Sequence, residues 1–166
     1  RDAKNVYPTS IGYAPFNNQE TFSGVASENL NSVFGSKFGD EVGIFAGGAT
    51  KLFKLDATDL SLDDVSKVGG YSGGTWKFTQ FGGVVIAANN QAKLQSWTLG
   101  SSTQFADLNA NAPVAKYVTV IRDFVVAANI GGGSETNKVQ WSDINDETNW
   151  LSGTTSQSDY QLIPDG

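Results

Sequence analysis

The chain has 166 residues, 39% of them hydrophobic, which suffices for one domain with a sizeable core. It contains no cysteine and no histidine, which excludes disulfides, thiolate and imidazole metal sites, cysteine nucleophiles and any Ser-His-Asp triad. Its formal net charge of -6 disfavours tight binding to nucleic-acid phosphate, and no apolar run approaches the roughly 20 residues that span a bilayer as a helix.

Residues 1–30 read as a lead-in segment. They open Arg1-Asp2-Ala3-Lys4-Asn5, without an initiator Met or a signal-peptide pattern, so a processed, cloned or partial chain is expected. Residues 31–151 read as about three repeats of one pattern: an apolar strand, a Gly/Asn turn, a Lys followed by an apolar residue, then a second strand. The first repeat runs Val42-Gly43-Ile44-Phe45-Ala46-Gly47-Gly48-Ala49-Thr50-Lys51-Leu52-Phe53 and predicts strands near 42–46 and 51–55. In the second, Trp76 to Phe81 leads through Gly82-Gly83 into Val84-Val85-Ile86-Ala87-Ala88-Asn89, with Lys93-Leu94 beyond. It predicts strands near 75–81, 84–89 and 93–98, the first two joined by a tight hairpin. In the third, Tyr117 to Ile121 leads through Arg122-Asp123 into Phe124-Val125-Val126-Ala127-Ala128-Asn129, and Lys138-Val139 follows a Gly-rich insertion at Gly131 to Asn137. Strands are predicted near 116–121, 124–129 and 138–142, with the insertion as a projecting loop. The unbroken apolar runs Val84 to Ala88 and Phe124 to Ala128 suit strands covered on both faces.

Helix is scarce: Asp59 to Val65 predicts one helical turn, and Ser142 to Glu147, rich in N-cap residues, another short one. Residues 152–166 read as a tail leading into a missing blade. Three or four strands about every forty residues is the period of a propeller blade, whereas closed propellers hold about four to eight blades. The expected fold class is therefore all-β, antiparallel hairpin repeats forming a partial β-propeller. A β-sandwich made of the same hairpins is the alternative.

Carboxylates are the only acid-base candidates that remain. Asp63-Asp64 and the group Asp143, Asp146 and Glu147 lie in polar inter-strand segments, where turn capping and solvation explain them without catalysis. Asp56-Ala57-Thr58-Asp59 and Asn145-Asp146-Glu147 lack the spacing and Gly of a calcium loop. The Gly-rich runs Gly69 to Gly74 and Gly131 to Gly133 lack the Lys-Ser/Thr of a phosphate loop. Tyr13, Phe16 and Tyr71 are candidates to stack on sugars if exposed, and the loosely equivalent Leu55, Trp97 and Trp141 do not repeat an aromatic floor. Trp141 and Trp150 are expected to be structural anchors, each at least half buried. The reading is of a protein without enzymatic activity and without catalytic, cofactor-binding or metal-binding residues.

Several stretches resemble a known family. Asn5-Val6-Tyr7-Pro8 with Gly12-Tyr13-Ala14-Pro15-Phe16, then Arg122 to Ala128, look like segments of the tail-hub (nozzle) and packaged-DNA stabilisation proteins of short-tailed bacteriophages. Lys138-Val139-Gln140-Trp141-Ser142-Asp143-Ile144-Asn145-Asp146-Glu147-Thr148-Asn149-Trp150 is similar to the family's Val-x-Trp-Ser-x-(Ile/Leu)-Asn-Asp-x-x-x-Trp stretch, and Asp159 to Gly166 looks like its next landmark. The resemblance implies a structural virion component of the phage tail, a homo-oligomeric ring that extends the tail channel and helps retain packaged DNA. It implies as partners a portal-side adaptor and other tail proteins, with DNA passing through without sequence-specific binding. The reading kept beside it is a carbohydrate-binding β-propeller, a lectin or adhesin; a glycosidase stands third.

Overall fold

A computed structural model describes residues 4–16 and 20–164. Its strands are all antiparallel, and the described residues contain no α-helix. A short hairpin comes first, β1 (Val6–Thr9) with β2 (Gly12–Pro15). Three four-stranded sheets follow, each made from a contiguous stretch of chain with its strands in sequence order. The first holds β3 (Ser32–Phe38), β4 (Glu41–Gly47), β5 (Leu52–Leu55) and β6 (Leu62–Asp64). The second holds β7 (Lys77–Phe81), β8 (Val84–Ala88), β9 (Gln95–Thr98) and β10 (Ala106–Asp107). The third holds β11 (Ala115–Ile121), β12 (Phe124–Ile130), β13 (Glu135–Trp141) and β14 (Asp159–Leu162). The sheets do not close on one another.

One local device starts all three sheets. The first two strands of each are joined by two residues, Gly39-Asp40, Gly82-Gly83 and Arg122-Asp123. The first residue of each pair has positive φ: +60° at Gly39, +54° at Gly82 and +54° at Arg122. A two-residue hairpin requires that conformation to match strand twist. Glycine adopts it freely, whereas Arg122 carries a Cβ penalty of about 1–2 kcal/mol.

Packing joins the sheets in chain order. Between the first and second lies an apolar layer of Phe45, Leu52, Val65, Tyr71, Trp76, Val85, Ala87, Trp97, Leu99 and Phe105. Its aromatic rings meet edge to face, with 5.3 Å between the centroids of Phe45 and Trp97 and 5.5 Å between Phe45 and Phe105. Between the second and third lies a layer that includes Ile86, Ala88, Leu94, Val118, Val125, Ala127, Ile130 and Trp150. Successive strand residues point to opposite faces. So Val85 and Ala87 of β8 enter one layer, Ile86 and Ala88 enter the other, and all four are wholly buried. Small alanines on both faces let the neighbouring sheets come close. Near one edge of this stack β11 lies beside β7.

Several expectations are corrected by the structure. Asp59 to Val65 forms a turn and the strand β6 rather than a helical turn, with Leu60 at φ +61° accepting the amide of Gly24. Ser142 to Glu147 forms a tight bridge between Asp143 and Asp146, again with no helix. The Gly-rich insertion is short: a 3₁₀ turn at Gly131–Gly133 leads directly into β13 at Glu135, so Glu135 to Asn137 is strand. The boundary drawn at 151 cuts a sheet, because β14 pairs with β13 from Lys138↔Leu162 to Trp141↔Asp159. The lead-in drawn to residue 30 contains the β1–β2 hairpin. Arg1-Asp2-Ala3 and the final Asp165-Gly166 of the closing landmark lie outside the described residues. No helix among the described residues is long and apolar enough to cross a membrane.

Candidate functional site

Asp64, Asp143 and Asp146 are each held in place by their own neighbours, whereas Glu147 contributes its backbone carbonyl. Asp63 and Asp64 are successive residues of β6 and therefore point to opposite faces of the first sheet, so they cannot converge across a sugar ring. Asp64 pairs with Lys51 at 2.7 Å and accepts from the Ser66 amide (3.1 Å) and hydroxyl (2.6 Å). Partial burial pushes its carboxyl up, but the Lys51 ammonium and the Ser66 donors outweigh this and hold it below the usual carboxylate range. Asp56 and Asp59 accept the amides of Thr58 (2.6 Å) and Ser61 (2.9 Å), the geometry of side-chain-closed turns.

The Asp143 region is a knot that ties the β13–β14 connection to itself. Asp143 accepts the backbone amides of Gln157 (2.8 Å) and Ile144 (2.9 Å), and Asn149 Nδ2 donates to it at 3.1 Å. The two amides dominate and lower its carboxyl. Asp146 accepts from the amide and hydroxyl of Thr148 at 2.9 and 2.6 Å. The Trp150 indole donates to the Glu147 carbonyl at 2.7 Å, and the Trp141 indole donates to the Gln157 carbonyl at 2.8 Å. Both tryptophans are more than half buried, Trp150 almost completely and Trp141 partly. They close the two ends of the knot, and among the described residues no group of three or more acidic side chains is arranged to hold a metal ion.

A polar concavity of about 510 Å³ lies at the rim of the first sheet, lined by Thr50, Lys51, Asp64, Ser66, Lys67, Gly69, Gly70 and Tyr71. Its charges are mutually neutralised, because Lys51 binds Asp64 and Lys67 binds Asp107 at 2.7 Å. Partial burial pushes Asp107 up, and the Lys67 and Gln95 donors more than reverse it, leaving the carboxyl lowered. Tyr71 is only 8% exposed, and its hydroxyl donates to Gln95 Oε1 at 3.1 Å. Burial pushes that hydroxyl well up. Tyr71 is thus core, the commoner place for an aromatic in an all-β chain, and is not free to stack on a sugar, whereas Tyr13 and Phe16 are exposed on the lead-in hairpin. Trp97 and Trp141, loosely equivalent in sequence, have different surroundings: Trp97 faces the first sheet, and Trp141 faces away from the second.

Two apolar grooves at the ends of the stack were not foreseen. One, of about 320 Å³, lies on the outer face of the first sheet and is lined by Phe22, Ser23, Leu30, Val33, Ile44, Ala46, Leu55 and Leu62. The other, of about 230 Å³, lies on the outer face of the third and is lined by Ile121, Phe124, Val126 and Trp141. The signal for the second was present in the run Phe124 to Ala128, apolar at every position although only one of its faces meets another sheet. Fold and surface together define an all-β chain of stacked four-stranded sheets with apolar ends. Compared with known proteins, the chain matches no family model and no curated protein.

Proposed function

We propose that this chain is a non-catalytic structural component of a phage tail hub or nozzle, acting as part of a β-propeller within a homo-oligomeric ring in the virion. In that setting it extends the tail channel, helps retain packaged DNA, and contacts a portal-side adaptor and other tail proteins. The observation that carries the reading is the stack itself: three like meanders, packed face to face in chain order and ending in apolar faces. A stack of this kind is the arrangement of consecutive propeller blades, and apolar ends belong to interfaces rather than to solvent. The particular assembly is supplied by the likeness of Lys138 to Trp150 to the tail-hub stretch, a segment that here serves as a rigid structural knot. The net charge of -6 lets DNA slide past rather than adhere. Symmetry-averaged imaging of purified particles tests the proposal: a ring containing this chain between portal and tail is expected, and its absence from particles would refute it. The carbohydrate-binding alternative rests on the exposed Tyr13 and Phe16. A glycan array that lit up with the purified chain and went dark on Tyr13→Ala would favour it.

A further inference from the structure

The middle sheet shows what each face of a repeat is built to meet. Val85 and Ala87 of β8 face the first sheet, and Val125 and Ala127 of β12 face the second. The corresponding residues of β4 are Ile44 and Ala46, a β-branched residue and an alanine in the same alternation; both line the groove of the first sheet, Ile44 exposed and Ala46 buried at its floor. In the other direction, Phe45 of β4 and Ile86 of β8 each pack on the following sheet. Val126 holds that place in β12 and lies in the open groove of the third. The two open faces are therefore the two halves of one contact that the chain already makes twice.

We infer that a second copy of this chain covers both faces, the third sheet of each copy stacking on the first sheet of the other. Continuity with the two internal contacts carries the choice of occupant, because the open faces repeat their residues in the same alternation. Both grooves are lined without a charged side chain, in a chain whose net charge is -6. Two copies of the 166-residue chain bring six four-stranded sheets together, within the about four to eight that a ring of stacked sheets holds. Such a head-to-tail contact closes by rotation. The lead-in leaves room for it. Gly24 N–H donates to Leu60 and the Glu28 carboxylate accepts from Thr50 and Lys51, which holds that segment over the outer half of the first sheet. On the inner half, Val33 and Ile44 remain 70% and 40% exposed. The pairing deepens the proposed oligomer and rests on its propeller-type stacking; it describes the unit from which a larger ring is built.

Analytical ultracentrifugation of the 166-residue chain over a concentration series tests it. A two-copy species is expected. Ile44→Asp and Val126→Asp should each sediment as single copies while keeping the wild-type far-UV spectrum. Mixed in equal amounts, they should pair again through the one intact contact, at least roughly tenfold more weakly than the wild type, which makes two linked contacts. If Val126→Asp does not fold, Ile121→Glu replaces it, since Ile121 lies on the same face at 55% exposure. Single copies of the wild type at ~100 µM, pairs that survive either substitution, or variants that stay apart on mixing would each overturn the inference. Pairs in solution with the chain absent from particles would sink only the virion reading. Single copies in solution with a ring in particles would sink only this contact.

Discussion

The second and third sheets begin from nearly the same sequence and end in different surroundings. Val85-Ile86-Ala87-Ala88-Asn89 of the second is wholly buried through Ala88, with apolar layers on both sides. Val125-Val126-Ala127-Ala128-Asn129 of the third buries Val125 and Ala127 and leaves Val126 in an open groove. The asparagines diverge as well. Asn89 ends its strand, accepts the amides of Gln91 (3.0 Å) and Ala92 (2.9 Å), and donates to the Gly73 carbonyl at 3.2 Å. Asn129 sits inside β12 at φ +57°, at a break in the β12–β13 register, with its buried side-chain oxygen unpartnered. Strand chemistry is thus set by the sequence repeat, and burial by whichever sheet lies alongside.

The sharpest break in the comparison is expected at the tryptophans of the third sheet. Trp150→Ala should cost about 3–5 kcal/mol, while Trp141→Ala, at the open face, should cost roughly half of that or less. Equal shifts in urea midpoint would show that the open face is not open. Next comes the matched pair Ile86→Ala and Val126→Ala. The first should cost about 2–5 kcal/mol and the second below about 1 kcal/mol, measured at dilutions where copies are separate. Similar values for the two would remove the distinction between closed and open faces. Asn89→Ala should cost about 1 kcal/mol because it leaves two part-buried amides without their partner. Asn129→Gly should be neutral or slightly stabilising, since glycine adopts its backbone freely and an orphaned oxygen is removed; a clear loss of thermal midpoint would contradict this.

The smaller effects lie at the turn and the ion pairs. Arg122→Gly should raise stability by about 0.5–1 kcal/mol, bringing the third hairpin turn into line with Gly39 and Gly82. No gain in midpoint would mean that Arg122 has compensating contacts. The lowered carboxyls of Asp64 and Asp107 contribute stability that is present above their unfolded value of about 3.9 and is lost as pH falls through the folded one. Both side chains are more than a third exposed, so the effect is small. Asp107→Asn should flatten the fall in stability below about pH 4, and an unchanged acid titration would refute that.

The fold was legible where apolar runs and turn residues agree. The strands predicted near 42–46, 84–89 and 124–129 lie within β4, β8 and β12 to within a residue or two. β3 was missed although Gly39-Asp40 is a hairpin signal, because Gly35, Ser36 and Lys37 dilute its apolar character. β14 is exposed along its length, so burial leaves no pattern in its sequence. Tyr71 sits in a Gly-rich loop, and its burial comes from partners distant in the chain, its amide donating to the Thr50 carbonyl and its hydroxyl to Gln95, each at 3.1 Å, which local sequence cannot encode. The groove on the third sheet was half legible: the run Phe124 to Ala128 carries the apolar residues of its outer face, but it is identical whether that face meets protein or water.

Because every sheet is cut from an unbroken stretch of chain, the protein can fold in the order in which it is synthesised. The first hairpin of each sheet closes over two residues, a microsecond event, and no strand has to wait for a partner from a later sheet. Contacts that are local in sequence favour rapid folding, and stability then grows by nearest-neighbour addition. What must wait is the layer between sheets. The first sheet can complete its hydrogen bonds while Phe45 and Leu52 are still wet, and only the arrival of Val85 and Trp97 dries them. The interval between those two moments is when the nascent chain is most exposed to misassociation.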